Sequence, residues 1–376
     1  MRILMIPHDS WERPQRLRYL AGALAADHEV HVIDCTINPE TLKHRIRPSN
    51  RNSRLPAHLV KVHRIRPLPT LRAMGLTELN RQTIRLRINR VLKSVRPDAV
   101  VTSSIASPDP VVPVIFDVQD DNPSYWATYA HDTRFAKKLA RYENSLISTA
   151  TATVAASEII QEKIQKMHPE SCVFYIPNGV NVAQFRKEDS RTARQKLGFT
   201  GSVLGYLGRV GPWCRLEMAI QSLAFLPDRF NLVVVGRLSD QHRFLAVAKE
   251  AGVSDRVELR PPVPESDVPL VCAGIDVGLI PFDLSDFCHA AFPLKLLEYS
   301  AAGKPVVSTP LRTVLRLHLP NVYVCQPHPE SVAKVVLDAM SLKHVSLPAV
   351  GDFDWATLAR RYASRIEEAL SLRVSP

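Results

Sequence analysis

The chain has 376 residues, with 48 Lys or Arg against 37 Asp or Glu, 45% apolar residues and 23% charged residues. At about 150 residues per domain this length suggests two domains of ordinary globular composition. A disordered, collagen-like or membrane-spanning chain is excluded: the longest apolar runs, 111–116 around Pro113 and 232–235, fall far short of the ~18 residues a bilayer crossing needs.

In chain order, the run Met1–Pro7 reads as a buried first strand, not as a signal peptide. Further strands are predicted over Val30–Ile33, Val60–Ile65, Ala99–Thr102, Val112–Val118, Thr153–Ala156 and Val173–Ile176. Helices are predicted over Pro14–Ala26, Leu79–Lys93, Phe135–Ser148 and Glu158–Lys166, with Pro14 suited to a first helical turn. Pro177-Asn178-Gly179-Val180-Asn181 is a turn cluster, and the polar stretch 187–191 reads as a linker. The alternation restarts with strands at Val203–Leu207, Leu232–Val235, Val257–Leu259, Val277–Ile280 and Val306–Ser308. Helical stretches at Leu216–Phe225, Arg243–Ala251 and Leu294–Ala302 separate them, and Trp355–Leu370 is a terminal helix. Strands alternating with helices predict an α/β fold with parallel sheets, as two Rossmann-like domains facing each other across a cleft. The expected boundaries are 1–176, 177–354 and a terminal helix in 355–376.

The six cysteines contain no C-x-x-C pair, so neither a zinc site nor a disulfide framework is expected, and a cytoplasmic location is. The positive charge is local. Residues 43–96 hold fifteen Lys or Arg and one acid, Glu78. Such a segment suits nucleic acid, anionic lipid or a phosphorylated substrate, or simply a solvated face. It contains no Phe, Tyr or Trp, which disfavours base stacking and hence nucleic acid. Within it Ile84, Ile88, Val91 and Leu92 share a helical face rimmed by Arg and Lys, fit either for a membrane surface or for packing on a sheet.

Open α/β sheets bind ligands at the carboxyl ends of their strands. No G-x-G-x-x-G or Walker A sequence is present, and no D-x-D stands at a strand end, so no metal site is expected. After the strand 203–207, Gly208-Arg209 lets backbone amides and a guanidinium approach phosphate oxygens. The stretch Pro293-Leu294-Lys295-Leu296-Leu297-Glu298 places Lys295 in a first helical turn and Glu298 three residues on, on the same side. Together they suit a diphosphate and the hydroxyls of a ribose; the spacing equally fits an ordinary surface ion pair. Asp117, Asp120 and Asp121 follow a strand, where a carboxylate serves as a general base or caps the next helix.

These residues resemble a known family. Pro177-Asn178-Gly179-Val180, Gly205-Tyr206-Leu207-Gly208-Arg209, Asp276–Phe282 and above all Pro293–Tyr299 running into Ala302–Val307 are similar to GT-B glycosyltransferases of the family-four type. The runs Trp11–Arg16 and Asp117–Asp121 resemble bacterial polysaccharide transferases of teichuronic-acid and xanthan assembly. The resemblance implies that a UDP- or GDP-sugar is bound as donor substrate, with no permanently bound cofactor. Gly208, Arg209, Pro293, Leu294, Lys295 and Glu298 would hold it, Glu298 on the ribose and Lys295 with Arg209 on the diphosphate. The first domain would take a hydroxyl acceptor, lipid-linked acceptors included. The terminal helix would cross back to that domain, and the enzyme would need no metal. With 43–96 facing an anionic surface, the expectation is a peripheral protein on the inner face of the membrane, active in cell-surface glycan or glycolipid synthesis. The chain departs from the family pattern at Ala290, where the first Glu of E-x7-E falls, at Arg215 in place of a Lys, and at His8-Asp9-Ser10 in place of a glycine pair. These departures leave room for an inverting route with Asp120 or Asp121 as base. A sugar-nucleotide epimerase of the same fold is the alternative, and a nucleic-acid-binding protein a more distant one.

Overall fold

The computed structural model describes residues 1–8, 11, 15–35, 59–65, 78–104, 112–238, 240–341 and 350–371. The chain divides into two compact units. One holds residues 1–127, 132–177 and those from Trp355 on; the other holds 128–131 and 178–354.

The first unit is built on a seven-stranded sheet. Its strands are β1 (Arg2–Ile6), β2 (Glu29–Cys35), β3 (Val60–Ile65), β4 (Ala99–Thr102), β5 (Val114–Val118), β6 (Ala152–Ala155) and β7 (Val173–Tyr175), in the order β3-β2-β1-β4-β5-β6-β7. Every pairing is parallel. A parallel sheet covered by helices buries both faces, which is why β1, β4, β5 and β6 are near-continuous apolar runs. The helix Glu78–Val95 buries Ile84, Ile88 and Leu92 in one cluster with Leu4, Ile33 and Val100. Of the two uses its apolar face suggested, packing on the sheet is the one the structure shows. Burial stabilises each isoleucine by about 1.5–3 kcal/mol, so this face is not free for lipid. Most of the basic segment, 43–58 and 66–77, lies outside the described residues, as does Pro14. The first helix runs from Arg16 to Leu24.

The helix Trp355–Ser371 belongs to the first unit. Trp355 stacks on Tyr19 at 5.1 Å and 11° between planes, and Leu358, Tyr362 and Ile366 are buried.

The second unit carries β8 (Ser202–Leu207), β9 (Phe230–Val235), β10 (Val257–Arg260), β11 (Val277–Ile280), β12 (Val306–Ser308) and β13 (Val322–Val324), in the order β10-β9-β8-β11-β12-β13, again all parallel. Tyr206, Phe230 and Tyr299 are its largest fully buried side chains. The expected linker at 187–191 is instead the start of a helix, Ser190–Leu197. Asp189 caps it by accepting from the Thr192 amide at 2.8 Å, and Gly198 ends it at φ 69°. Its polar residues are those of a helix with one buried position, Ala193. Among the described residues no helix is long and apolar enough to cross a membrane.

In each sheet the order reverses beside the first strand. β1 lies between β2 and β4, and β8 between β9 and β11. The crevice outside the strand ends at such a switch point is where an open α/β sheet binds its ligand.

Candidate functional site

At the second unit's switch point, β8 ends in Gly208 at φ 112°, a conformation L side chains rarely adopt. A Cβ on Gly236, at the end of β9, would lie 1.8 Å from the Gly208 carbonyl oxygen, so both positions need glycine. The turn leaves Gly208 and Arg209 exposed. The Arg209 guanidinium lies 5.5 Å from the centre of the Trp213 ring.

On the other side of the switch point stands the helix Leu294–Ala301. Leu296, Leu297, Tyr299, Ser300 and Ala301 bury its inner face, which leaves Lys295 and Glu298 half-buried on the other. Pro293, at the N-cap, supplies no side-chain acceptor; the Leu296 amide donates to its carbonyl at 3.0 Å, which leaves the Leu294 and Lys295 amides to face an anion. Pro293 and Leu294 are apolar, and their contribution is this backbone turn. Lys295 Nζ sits 4.5 Å from the centre of the Tyr206 ring and 4.9 Å from that of Phe282. A Cβ placed on Gly208 would be 3.8 Å from the same nitrogen. The structure therefore brings Gly208, Arg209, Pro293, Leu294, Lys295 and Glu298 to one end of one sheet.

The electrostatics at this end are set first by burial. Burial pushes the Glu298 carboxyl up to about 7; the charge of Lys295 opposes the rise and that of Glu265 adds to it. Burial lowers Lys295 below its ordinary value, against the charge of Glu298. The Glu298 carboxylate makes no ion pair or side-chain hydrogen bond among the described residues. A half-buried carboxylate without donors is expensive to leave so.

Sequence reasoning missed the support of the neighbouring loop. Tyr129 donates to both oxygens of Asp283 at 2.6 Å and lies 2.6 Å from Ser285 Oγ. Burial raises the Asp283 carboxyl, but the bonds from Tyr129 and Ser285 outweigh it and hold the group below its ordinary value.

In the first unit the three aspartates part company. Asp117, on β5, has a side chain with no exposed surface. Both of its oxygens accept from Arg16 Nε, at 3.0 and 3.1 Å, and Oδ2 also accepts from Tyr362 at 3.0 Å. Arg16 spends its other nitrogens on the carbonyls of Pro177 and Ile176. Asp117 is thus the centre of a buried clasp joining the first helix, β5, the end of β7 and the terminal helix. Asp121 accepts from Ser124 Oγ at 2.7 Å and Lys163 Nζ at 2.6 Å, at the start of the helix Asn122–Thr128. Asp120 alone has no side-chain bond among the described residues. Burial raises its carboxyl above the ordinary value; the charge of His8 opposes the rise and that of Asp121 adds to it. His8 follows β1, and its amide donates to Ser103 Oγ, after β4, at 3.0 Å, so these groups mark the first sheet's switch point. Glu143, which no motif indicated, is pushed up to about 8 by burial and by the charge of Asp121, against Lys163 and a bond from Asn122. Among the described residues no group of His, Cys, Asp and Glu is placed to hold a metal ion.

Two all-parallel Rossmann-like units, each open at a switch point, define an α/β protein of the GT-B type. Residues 15–184 match the model of Glycosyltransferase Family 4, and residues 189–348 that of Glycosyl transferases group 1. The chain belongs to the family-four-like GT-B glycosyltransferases. It is 29% identical over 195 residues to a Bacillus subtilis protein named as a teichuronic acid biosynthesis glycosyltransferase, TuaH, covering 51% of this chain and 48% of that one. The chain thus spans about half the length of that relative. Among solved structures it is similar to a sucrose-phosphate synthase from Thermosynechococcus elongatus, with TM-score 0.77 and 15% identity over 99% of this chain and 100% of that one. It is also similar to HepE of Anabaena in complex with UDP-glucose, with TM-score 0.73 and 17% identity over 98% and 100%.

Proposed function

We propose that the chain moves a sugar from a nucleoside diphosphate sugar, UDP- or GDP-linked, to a hydroxyl acceptor in the assembly of a cell-surface glycan or glycolipid. The observation that carries this reading is the unpartnered, half-buried Glu298 one helical turn from Lys295, beside the exposed Gly208–Arg209 turn. Glu298 accepts the ribose hydroxyls. Lys295, Arg209 and the first-turn amides hold the diphosphate and neutralise the charge it gains as it leaves, which is where electrostatic stabilisation acts most in group transfer. The UDP-glucose bound by the HepE structure supports a donor of this class.

The first unit supplies the base. Asp120 is the aspartate with no internal commitment, and its raised carboxyl is suited to take a proton from an attacking hydroxyl. Asp117 and Asp121 hold the structure around it. The acceptor is lipid-linked, and the basic segment 43–96 draws the first unit to an anionic membrane from the cytoplasmic side. In the helix Glu78–Val95 and just after it, Arg90, Lys93 and Arg96 are exposed, and Leu86 is 64% exposed. Each basic residue near such a surface contributes about 1 kcal/mol.

The test is transfer from a panel of UDP-, GDP- and dTDP-sugars, with and without hydroxyl acceptors. Product that requires both donor and acceptor is expected. Release of free nucleotide with an isomerised sugar and no acceptor would indicate an epimerase, and no nucleotide binding at all would end the proposal. Co-sedimentation with anionic vesicles, declining as salt is added, tests the membrane role.

A further inference from the structure

The hydroxyl of Tyr206 stands between the Lys295 ammonium and the backbone of the Gly208–Arg209 turn. Tyr206 lies on β8 with no exposed surface. It donates to the carbonyl of Arg209 at 2.8 Å and accepts from Lys295 Nζ at 3.4 Å. A phenol has one proton and two lone pairs. Donation to the Arg209 carbonyl fixes that proton, so the side facing Lys295 presents a lone pair. Phe282, just beyond β11, supplies a second aromatic wall for the ammonium. This wall is fixed in turn: Cys214 bridges to Phe282, and the Arg215 amide donates to the Pro281 carbonyl at 2.7 Å.

We propose that Tyr206 is a positioning residue of the donor site, caging the Lys295 ammonium with Phe282 and tying it to the Gly208–Arg209 turn, so that β8 sets where the cation meets the donor's diphosphate. The proposal rests on the reading of Lys295 as a diphosphate ligand. A lysine on a helix surface usually lets its head swing into water. Here two rings and a hydroxyl hold it, so less freedom is lost when the anion binds.

The groups facing Lys295 are few. Glu298 lies one turn along the same helix, and Glu265 acts on Glu298. Cys214, whose thiol is hydrogen-bonded with the Tyr206 hydroxyl, is pushed up to about 12 by burial against that bond and the charge of Lys295, and so faces the lysine as a neutral group. The Tyr206 hydroxyl is also held neutral, burial raising it well above its ordinary value. Its lone pair adds an acceptor for the ammonium beside Cys214 and Glu298, whose electrostatic influence opposes the lowering that burial imposes on Lys295.

The experiment measures UDP-glucose affinity of the full chain from pH 7 upward for wild type, Tyr206→Phe and Lys295→Ala, with thermal unfolding alongside. Uracil's own ionisation is common to all three. Tyr206→Phe keeps the ring and the packing but removes the acceptor. It should weaken binding about three- to tenfold. It should also move the alkaline loss of affinity to lower pH by about half a unit to one unit, because the ammonium gives up its proton more readily. Lys295→Ala should weaken binding further and abolish the lysine-dependent limb. If Lys295→Ala binds like wild type, the diphosphate reading itself fails. If Lys295→Ala loses affinity while Tyr206→Phe keeps both the wild-type affinity and limb, the positioning role alone is overturned. Weaker binding in Tyr206→Phe with the limb unmoved also overturns it, since that is what a purely structural tyrosine would give.

Discussion

Replacement of Glu298 by Gln puts the donor site to its sharpest test. The substitution preserves shape and one acceptor oxygen but removes the charge. Hydrogen bonds to a charged group contribute about 1.5–3 kcal/mol each, against about 1 for a neutral one. Two ribose hydroxyls on one carboxylate therefore lose about 1–4 kcal/mol, a ~5- to 900-fold rise in Kd at pH 8. The raised carboxyl adds a pH signature. In the free protein Glu298 titrates at about 7, and donor binding requires the ionised form, so affinity is full above that pH and falls as pH drops through it. One unit below, ionisation costs about 1.4 kcal/mol. The advantage of wild type over Glu298→Gln should then shrink about tenfold from its value at pH 8. Calorimetric titration with UDP-glucose at pH 6 and pH 8 reads both quantities. A nucleotide sugar is the right ligand because it lacks the terminal phosphate whose own ionisation, near pH 6, would blur the result. An affinity within threefold of wild type at pH 8, or an equal ratio at both pH values, would refute the assignment.

Other outcomes follow from the same geometry. Asp117→Asn leaves Arg16 buried without its counter-charge and should cost about 3–5 kcal/mol in urea unfolding; a stable variant that has lost only turnover would return Asp117 to the catalytic candidates. Asp120→Asn should lower kcat about 10²- to 10⁴-fold while donor affinity stays near wild type, and full turnover would remove it as the base. In the first sheet His63 is lowered by burial and by the nearby charges of His31 and Lys61. A histidine lowered in the fold favours its neutral form there, so stability should be full above pH ~6.5 and decline as pH falls below it. His63→Phe should flatten that slope in unfolding curves taken from pH 5 to 7. Glu29, held below its usual range by bonds from Lys61, Arg2 and His31, contributes only in a more acidic window and does not interfere.

The fold was legible because a parallel strand buried on both faces is an unbroken apolar run. β8 and β11 announced themselves in this way. β13 did not: Val322-Tyr323-Val324 is three residues long and leaves Val324 40% exposed, so its pattern carries little weight. The helix Ser190–Leu197 was misread because composition outweighed its caps, although Asp189 and Gly198 stand at its ends in the sequence. Lys295 and Glu298 were readable from a three-residue spacing after Pro293, since helix geometry alone puts them on one side. The three aspartates were not separable. What commits Asp117 is Arg16, 101 positions away, and Tyr362, 245 positions away. Neither the clasp nor the cage around Lys295 leaves a local trace, because each is made by strands and helices meeting from distant parts of the chain.

The clasp has a consequence for how the chain comes into being. The first unit's interior includes Trp355, Leu358 and Tyr362, and Tyr362 completes the bonding of a β5 carboxylate. During synthesis from the N-terminus, β1 to β7 emerge early but lack the segment that closes their interior. Every strand of the second sheet leaves the ribosome before that segment does. Domains usually mature in the order in which they are made. Here the order is inverted: the second sheet can finish first, while the nascent first sheet waits with the Arg16–Asp117 pair still open to the helix that seals it.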